Sequence, residues 1–297
     1  MAARPIRARM TKRDATFPKS GKPWINRIVN HINQRSHKMI TKPILGQPLF
    51  RASVVAVCMG LSAQAYAGTP DVYTQYQETG NPNTPRAIGK LFSNSGTCSA
   101  SVISGNNIIV TAAHCCYNRG TGAWAYGWSF APAYNNGSAP YGMFPWVQAR
   151  VPASWINNGD TASDICLIQL GNNTAGRPVT YYTGWLGRSW DWGTTQSHHS
   201  LGYPGNIGSG QTLQLCASES FGASAACGGA AVLNTGCNMT YGSSGGPWIR
   251  QYRNGNYVNS VVHGYQSAAC TGTFGQTYNG PRFTSSNIVP LCTAQGC

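Results

Sequence analysis

The chain has 297 residues and a formal net charge of +14, a figure that by itself suggests a nucleic-acid binder. The distribution excludes that: twelve Lys/Arg and one acid, Asp14, fall in residues 1–67, while residues 68–297 hold nine basic and six acidic residues. Charged residues are 9% of the chain beside 36 Gly, 15 Tyr and 9 Trp, which is poor for a helical bundle, ordinary for a turn-rich β protein, and too aromatic for disorder.

Residues 1–67 read as a leader. A basic stretch ends at Arg51, an apolar run covers Ala52–Leu61, and Ala65-Tyr66-Ala67 gives the small-x-small pattern that predicts signal-peptide cleavage after Ala67. The run is too short for a stable membrane anchor. From Met39 the peptide would be 29 residues, an ordinary length, so either Met39 is the start or residues 1–38 are an extension. Cys58 leaves with the peptide, and Val57 before it is not the small residue that lipid attachment needs. Ten cysteines remain, at 98, 115, 116, 166, 216, 227, 237, 270, 292 and 297. An even number in an exported chain argues for disulfides and for a secreted protein, extracellular or periplasmic. No C-x-x-C pair meets a second His/Cys pair, and adjacent His198 and His199 on a strand would face opposite ways, so no metal is expected.

From Gly68 onward, short apolar runs alternate with Gly/Asn/Ser/Pro clusters. Ala87–Phe92, Ala100–Ile103, Asn107–Val110, Ile165–Leu170 and Val258–Val262 are all of strand length, with turn signals such as Ser104-Gly-Asn-Asn and Asn254-Gly between runs. No stretch carries a long 3.6-residue period, so the fold class is all-β, a barrel or sandwich. Trp124–Trp155 is rich in Trp, Tyr, Pro and Gly, and reads equally as loops over one end of a barrel or as core.

Three local patterns carry chemistry. Val110-Thr-Ala-Ala-His114-Cys115 ends a strand on a histidine. Ser163-Asp164 puts an acid at the mouth of the apolar strand Ile165–Leu170, with Asp160 the near competitor. Gly242-Ser243-Ser244-Gly245-Gly246-Pro247 sets a serine in a glycine-rich turn. A serine hydroxyl is a weak nucleophile until a neutral imidazole takes its proton, and that imidazole needs a carboxylate to fix its tautomer. Glycines let backbone N–H groups converge on an oxyanion.

In this order and spacing the three patterns resemble the trypsin/chymotrypsin-fold serine endopeptidases, and within them the V8-like group related to glutamyl endopeptidases. Further matching residues are Arg86–Leu91, Cys98–Ile103, Pro132–Gly142, Leu201–Gly205 and Cys237–Trp248. The resemblance implies two packed antiparallel six-stranded β-barrels, at about 86–178 and 179–290 of a peptidase domain spanning 68–297. It implies Ser244 as nucleophile, His114 as general base then acid, Asp164 as its orienting carboxylate, and the amides of Gly242 and Ser244 as oxyanion hole. It implies a Cys98–Cys115 bridge, and less directly Cys216–Cys237, with Cys227 and Cys270 as alternative partners; Cys116, Cys166, Cys292 and Cys297 stay unassigned.

Two departures stand out. Trypsin-like zymogens carry Asp before the nucleophile, to pair with a new N-terminal amine; here Ser243 stands there, so the turn is already formed or is stabilised otherwise. No Asp precedes the turn to meet Lys or Arg, whereas His263, helped by Thr240, sits about where glutamyl endopeptidases place a pocket histidine. An acidic P1 preference is therefore expected, with an apolar P1 next. The whole reading is a secreted, monomeric serine endopeptidase acting on proteins or peptides, with no cofactor, nucleic acid or membrane anchor. The alternative is a non-catalytic adhesin or lectin-like protein on the same fold.

Overall fold

The computed structural model describes residues 74–77, 84–266, 268–271 and 277–297, all within the unit 62–297. The leader, its cleavage position and Cys58 lie outside the described residues.

After β1 (Thr74–Gln77), strands β2 (Ile88–Ser93), β3 (Gly96–Ser104) and β4 (Ile108–Thr111) lead into helix α1 (Ala113–Cys116) and the small hairpin β5 (Tyr117–Asn118) and β6 (Ala123–Trp124). β7 (Ser129–Pro132), β8 (Phe144–Arg150), helix α2 (Ala153–Asn158) and β9 (Cys166–Leu170) follow. The order β2-β3-β4-β9-β8-β7 closes into an antiparallel barrel. Ile108, Ile109, Val110, Leu167 and Ile168 are wholly buried, as apolar runs without polar alternation require. The aromatic segment divides. Trp128, Phe130, Tyr134, Phe144 and Trp155 are buried in or beside β7, β8 and α2, while Trp124, Tyr126 and Trp146 stay exposed. The Gly/Pro-rich stretch between Pro132 and Phe144 is the connection, and the aromatics flanking it are strand residues.

Helix α3 (Val179–Thr183) precedes the second half, which comprises β10 (Gly187–Arg188), β11 (Gln196–Gly202), β12 (Gln214–Gly222), β13 (Val232–Thr235), β14 (Pro247–Arg250), β15 (Tyr257–Val261), β16 (Gly264–Gln266), helix α4 (Ala268–Thr271) and β17 (Thr277–Pro281). With β1 on the edge of β12 this is a nine-stranded sheet, antiparallel except for the short β10–β15 pair. β15 and β16 are two parts of one segment, broken at Val262-His263. The first part pairs with β14 and the second with β17, so a ring of six closes through this bend. Hydrogen bonds continue across it, from Val262 N–H to Gly246 O (3.0 Å) and from His263 N–H to Asn279 O (2.8 Å). The C-terminal helix α5 (Ile288–Gln295) adds Ile288, Leu291 and Cys292 to the main core, which draws on both halves. A smaller cluster of Cys216, Leu233, Cys237, Met239, Trp248, Val262 and Tyr278 lies in the second half.

Candidate active site

His114 sits in α1, a four-residue helix that starts as β4 ends. Its backbone N–H donates to Asp164 Oδ1 (2.8 Å), and its Nδ1 lies 2.7 Å from Asp164 Oδ2. A carboxylate only accepts, so Nδ1 carries the proton and Nε2 keeps its lone pair. Asp160, the near competitor, instead caps the turn before Asp164, accepting from Ala162 N–H (3.1 Å) and Ser163 Oγ–H (3.0 Å). Burial disfavours the imidazolium of His114, but the charge and hydrogen bond of Asp164 outweigh it and raise its pKa. Burial likewise works against the charge of the wholly buried Asp164, yet its contacts with His114 and His263 hold the carboxyl well below the usual range.

Two disulfides clamp α1. Cys98–Cys115 joins it to β3, as the resemblance implies, and Cys116–Cys166 joins it to β9 two residues after Asp164. The neighbouring residue Ser99 carries the clamp to the serine turn: its N–H donates to Ser244 O and its hydroxyl to Gly242 O, each at 2.8 Å. Gly242 (φ +94°) and Gly245 (φ +76°) have the left-handed backbone that favours glycine. A Cβ on Gly242 would come 2.5 Å from Tyr203 O, and one on Gly245 would meet the Thr111 side chain and Ala112 N at the end of β4. The turn therefore seats directly against the strand that delivers His114. Among the described residues, the N–H groups of Gly242 and Ser244 donate to no protein acceptor. Ser243 is buried, with its hydroxyl donating to Thr240 O (2.6 Å) and accepting from Tyr278 Oη–H (2.6 Å).

His263, expected in the specificity pocket, is placed beside Asp164. The bend between β15 and β16 turns its Nδ1 onto Asp164 Oδ2 (2.5 Å), so Asp164 accepts from two imidazoles and one amide. The two rings lie edge to face at 5.6 Å, and Trp155 of α2 flanks both, at 6.4 Å from His114 and 6.2 Å from His263. Thr240 is held by Asn206, which accepts from its N–H (3.0 Å) and donates to its Oγ1 (3.3 Å). His114 Nδ1, Asp164 Oδ2 and His263 Nδ1 lie close enough to hold a metal ion, but as placed the nitrogens' protons are spent on the carboxylate.

The Cys216–Cys237 bridge is a correction: both thiols are free and buried, and Cys216 Sγ–H donates to Gly236 O (3.2 Å). Contact with Cys237, and then burial, hold the Cys216 thiol far above its ordinary pKa, so it is a neutral, inert group. Cys227 pairs with Cys270 and Cys292 with Cys297. The contacts of Ser99, Trp155 and Tyr278 escaped sequence reading because each is made to residues distant in sequence, and the His263–Asp164 contact escaped it because a bend redirects the ring.

These features define a two-barrel protein of trypsin type. Residues 75–279 match the family described as Trypsin, and the chain belongs to it. It is 31% identical over 133 residues to a glutamyl endopeptidase of Bacillus licheniformis and 30% identical over 126 residues to an extracellular metalloprotease of Bacillus subtilis. Those matches take in 43% and 42% of this chain, and 39% and 34% of the relatives' own lengths. Among solved structures, the protease Anisep from Arthrobacter nicotinovorans superposes with a TM-score of 0.64 at 30% identity, over 75% of this chain and all (100%) of that one. A thermostable serine protease, AL20, from an extremophilic microorganism gives 0.62 at 28% identity, covering 72% and 99% of the two chains. A Glu endopeptidase gives 0.60 at 19% identity, over 75% and 97%, a likeness of fold.

Proposed function

We propose that the chain is a secreted serine endopeptidase. The observation that carries this is the docking of the Gly242–Gly246 turn, through Ser99, against a histidine whose Nδ1 is bonded to a buried aspartate. In this reading Nε2 of His114 takes the Ser244 proton as Oγ attacks the scissile carbonyl carbon. The imidazolium is stabilised by Asp164, and the oxyanion is met by the N–H groups of Gly242 and Ser244. His114 then protonates the leaving amine, and water, deprotonated by the same nitrogen, releases the acyl group from Ser244. Secretion is supported by the leader and by the disulfides, and among the described residues no helix is long and apolar enough to cross a membrane.

The finer reading is an acidic P1 preference, supported by the similarity to the Bacillus licheniformis glutamyl endopeptidase. One observation favours an apolar P1 instead: His263 spends Nδ1 on Asp164, and Tyr265 Oη–H donates to Met239 O (2.7 Å), bridging the two segments expected to wall the pocket. The test is a cleavage-site map on a peptide mixture, comparing wild type with Ser244→Ala. Cuts made only by wild type, with Glu or Asp before the bond, support both levels. Aromatic or aliphatic residues there overturn the acidic preference, and absence of cuts overturns the endopeptidase in favour of a binding protein on the same fold.

A further inference from the structure

We propose that Tyr278 is a positioning residue that holds the oxyanion turn in working shape through Ser243, so that the turn forms without a buried ion pair and activity does not depend on a free N-terminal amine. This rests on the endopeptidase reading and deepens it.

The hydroxyl inventory leaves little freedom. Ser243 Oγ has one proton and donates it to Thr240 O (2.6 Å), so it accepts from Tyr278 Oη, 2.6 Å away. Ser243 N–H also donates to Thr240 O (3.1 Å), closing residues 240–243 into a tight turn from inside. Ser243 and Tyr278 are both 1% exposed, so water does not replace either partner and the Tyr278 hydroxyl depends on Ser243 Oγ as its acceptor. Tyr278 is itself fixed, in β17 between β13 and β16, with its ring stacked on Trp248 at 6.2 Å and 14°. The turn's opening residues are pinned by Asn206 Nδ2–H to Asn238 O (2.8 Å) and by Tyr265 Oη–H to Met239 O (2.7 Å). Gly242, whose amide is one of the two oxyanion donors, lies between these anchors and Ser243.

Among the described residues, an arriving ammonium would find no carboxylate within the serine turn. Residues 238–247 contain no carboxylate. Asp160 is bonded to Ala162 and Ser163, Asp164 to the two histidines, and Asp191 to Ser285 N–H (3.1 Å). A buried charge without a partner is strongly disfavoured. Burial also holds the Tyr278 phenol far above its ordinary pKa, so the hydroxyl remains a donor at every working pH.

The experiment compares wild type, Tyr278→Phe and Ser243→Ala in the disulfide-bonded secreted form. Tyr278→Phe keeps the stacked ring and removes only the hydroxyl. Its kcat should fall roughly tenfold to a hundredfold with KM nearly unchanged, and affinity for a peptide aldehyde, which forms a tetrahedral adduct on Ser244, should fall in proportion. Ser243→Ala should behave alike, and Ser243→Thr, which restores the hydroxyl, should recover most of the loss. Acetylation of the N-terminal amine should leave wild-type activity unchanged; Lys90, the sole lysine after residue 67, is 4% exposed and does not confuse the reaction. Unchanged kcat and aldehyde affinity in Tyr278→Phe would overturn the proposal, as would loss of activity on acetylation. Should Tyr278→Phe not fold, Ser243→Ala and its threonine partner decide. A wild type that neither cuts peptides nor reacts with a fluorophosphonate at Ser244 defeats the endopeptidase reading instead. The positioning role is then judged by hydrogen exchange at the Gly242 and Ser244 amides: faster in Tyr278→Phe supports it, equal rates overturn it.

Discussion

Asp164 is the residue on which the site converges, and its three donors make its replacement predictable. An amide in its place can present a donor to His114 and select the wrong imidazole tautomer. Asp164→Asn should therefore cut kcat by roughly four orders of magnitude with little change in fold, as measured by steady-state kinetics and circular dichroism. Because Asp164 raises the pKa of His114, activity should switch on with rising pH at a midpoint above the ordinary histidine value of 6.5. His263 donates to the same oxygen and partly satisfies it, so His263→Ala should leave a more basic carboxylate and move that midpoint further up. Asp164 and His114 are the titrating groups that face His263, and a pH–rate profile of the variant reads the shift. A different histidine governs stability in acid. His198 Nε2–H donates to Asn259 Oδ1 (2.7 Å), while its Nδ1 is buried without a partner. Burial lowers its pKa to about 4 from 6.5, so the unfolded chain binds this proton first. Stability should decline as pH falls from 6.5 towards about 4, by a contribution on the order of 3 kcal/mol. A His198→Gln variant should flatten that part of the unfolding-midpoint curve.

At the scale of elements, a helix of four residues cannot hold a catalytic geometry by its own hydrogen bonds. α1 is held by what it is tied to. The Cys116–Cys166 link closes a separation of 50 residues and Cys98–Cys115 one of 17, which chain-entropy reasoning values at about 4 and about 3 kcal/mol; the Cys292–Cys297 link, separated by 5, is worth about 2. Replacing both Cys116 and Cys166 by serine should thus cost more stability than replacing Cys292 and Cys297, and should also lower kcat by loosening His114 against Asp164. Chemical unfolding and kinetics on the two double variants separate these effects. The free pair Cys216 and Cys237 makes a different claim. A thiol reagent should label neither in the folded chain lacking residues 1–67, and two thiols per chain once it is denatured without reductant.

The described residues form two β halves joined through the site and beside it. Lys90 of β2 donates to Gly210 O (2.6 Å) across the junction and lies over the rings of Phe92 and Tyr134, while Tyr203 Oη–H reaches Tyr134 O (3.0 Å). The charge excess belongs to residues 1–67, which carry twelve basic residues and one acid. A form retaining them should bind a heparin column at physiological salt and elute with a Debye-screening salt step, whereas the form beginning at Gly68 should pass through.

Strand lengths, the all-β class, the even cysteine count of residues 68–297 and the His, Asp and Ser motifs could be read from the sequence alone. Each is a local property: a run of apolar residues between turn formers, or a reactive side chain among small neighbours. The Cys98–Cys115 bridge was legible only through resemblance. What tertiary structure decided is everything that depends on which distant residues meet. The bend at Val262-His263 brings to Asp164, 99 residues away in sequence, an imidazole for which the resemblance implied only a pocket role. The β4–β9 pairing sets Cys166 opposite Thr111, at the end of the strand that leads to Cys116, and the two cysteines are bridged, while Cys216 and Cys237 stay free thiols. The hydroxyl pair of Ser243 and Tyr278, 35 residues apart, exists because β17 lies beneath the serine turn. A side chain's chemistry is written at its own position, but its partner is chosen by strand pairing and packing over the whole chain.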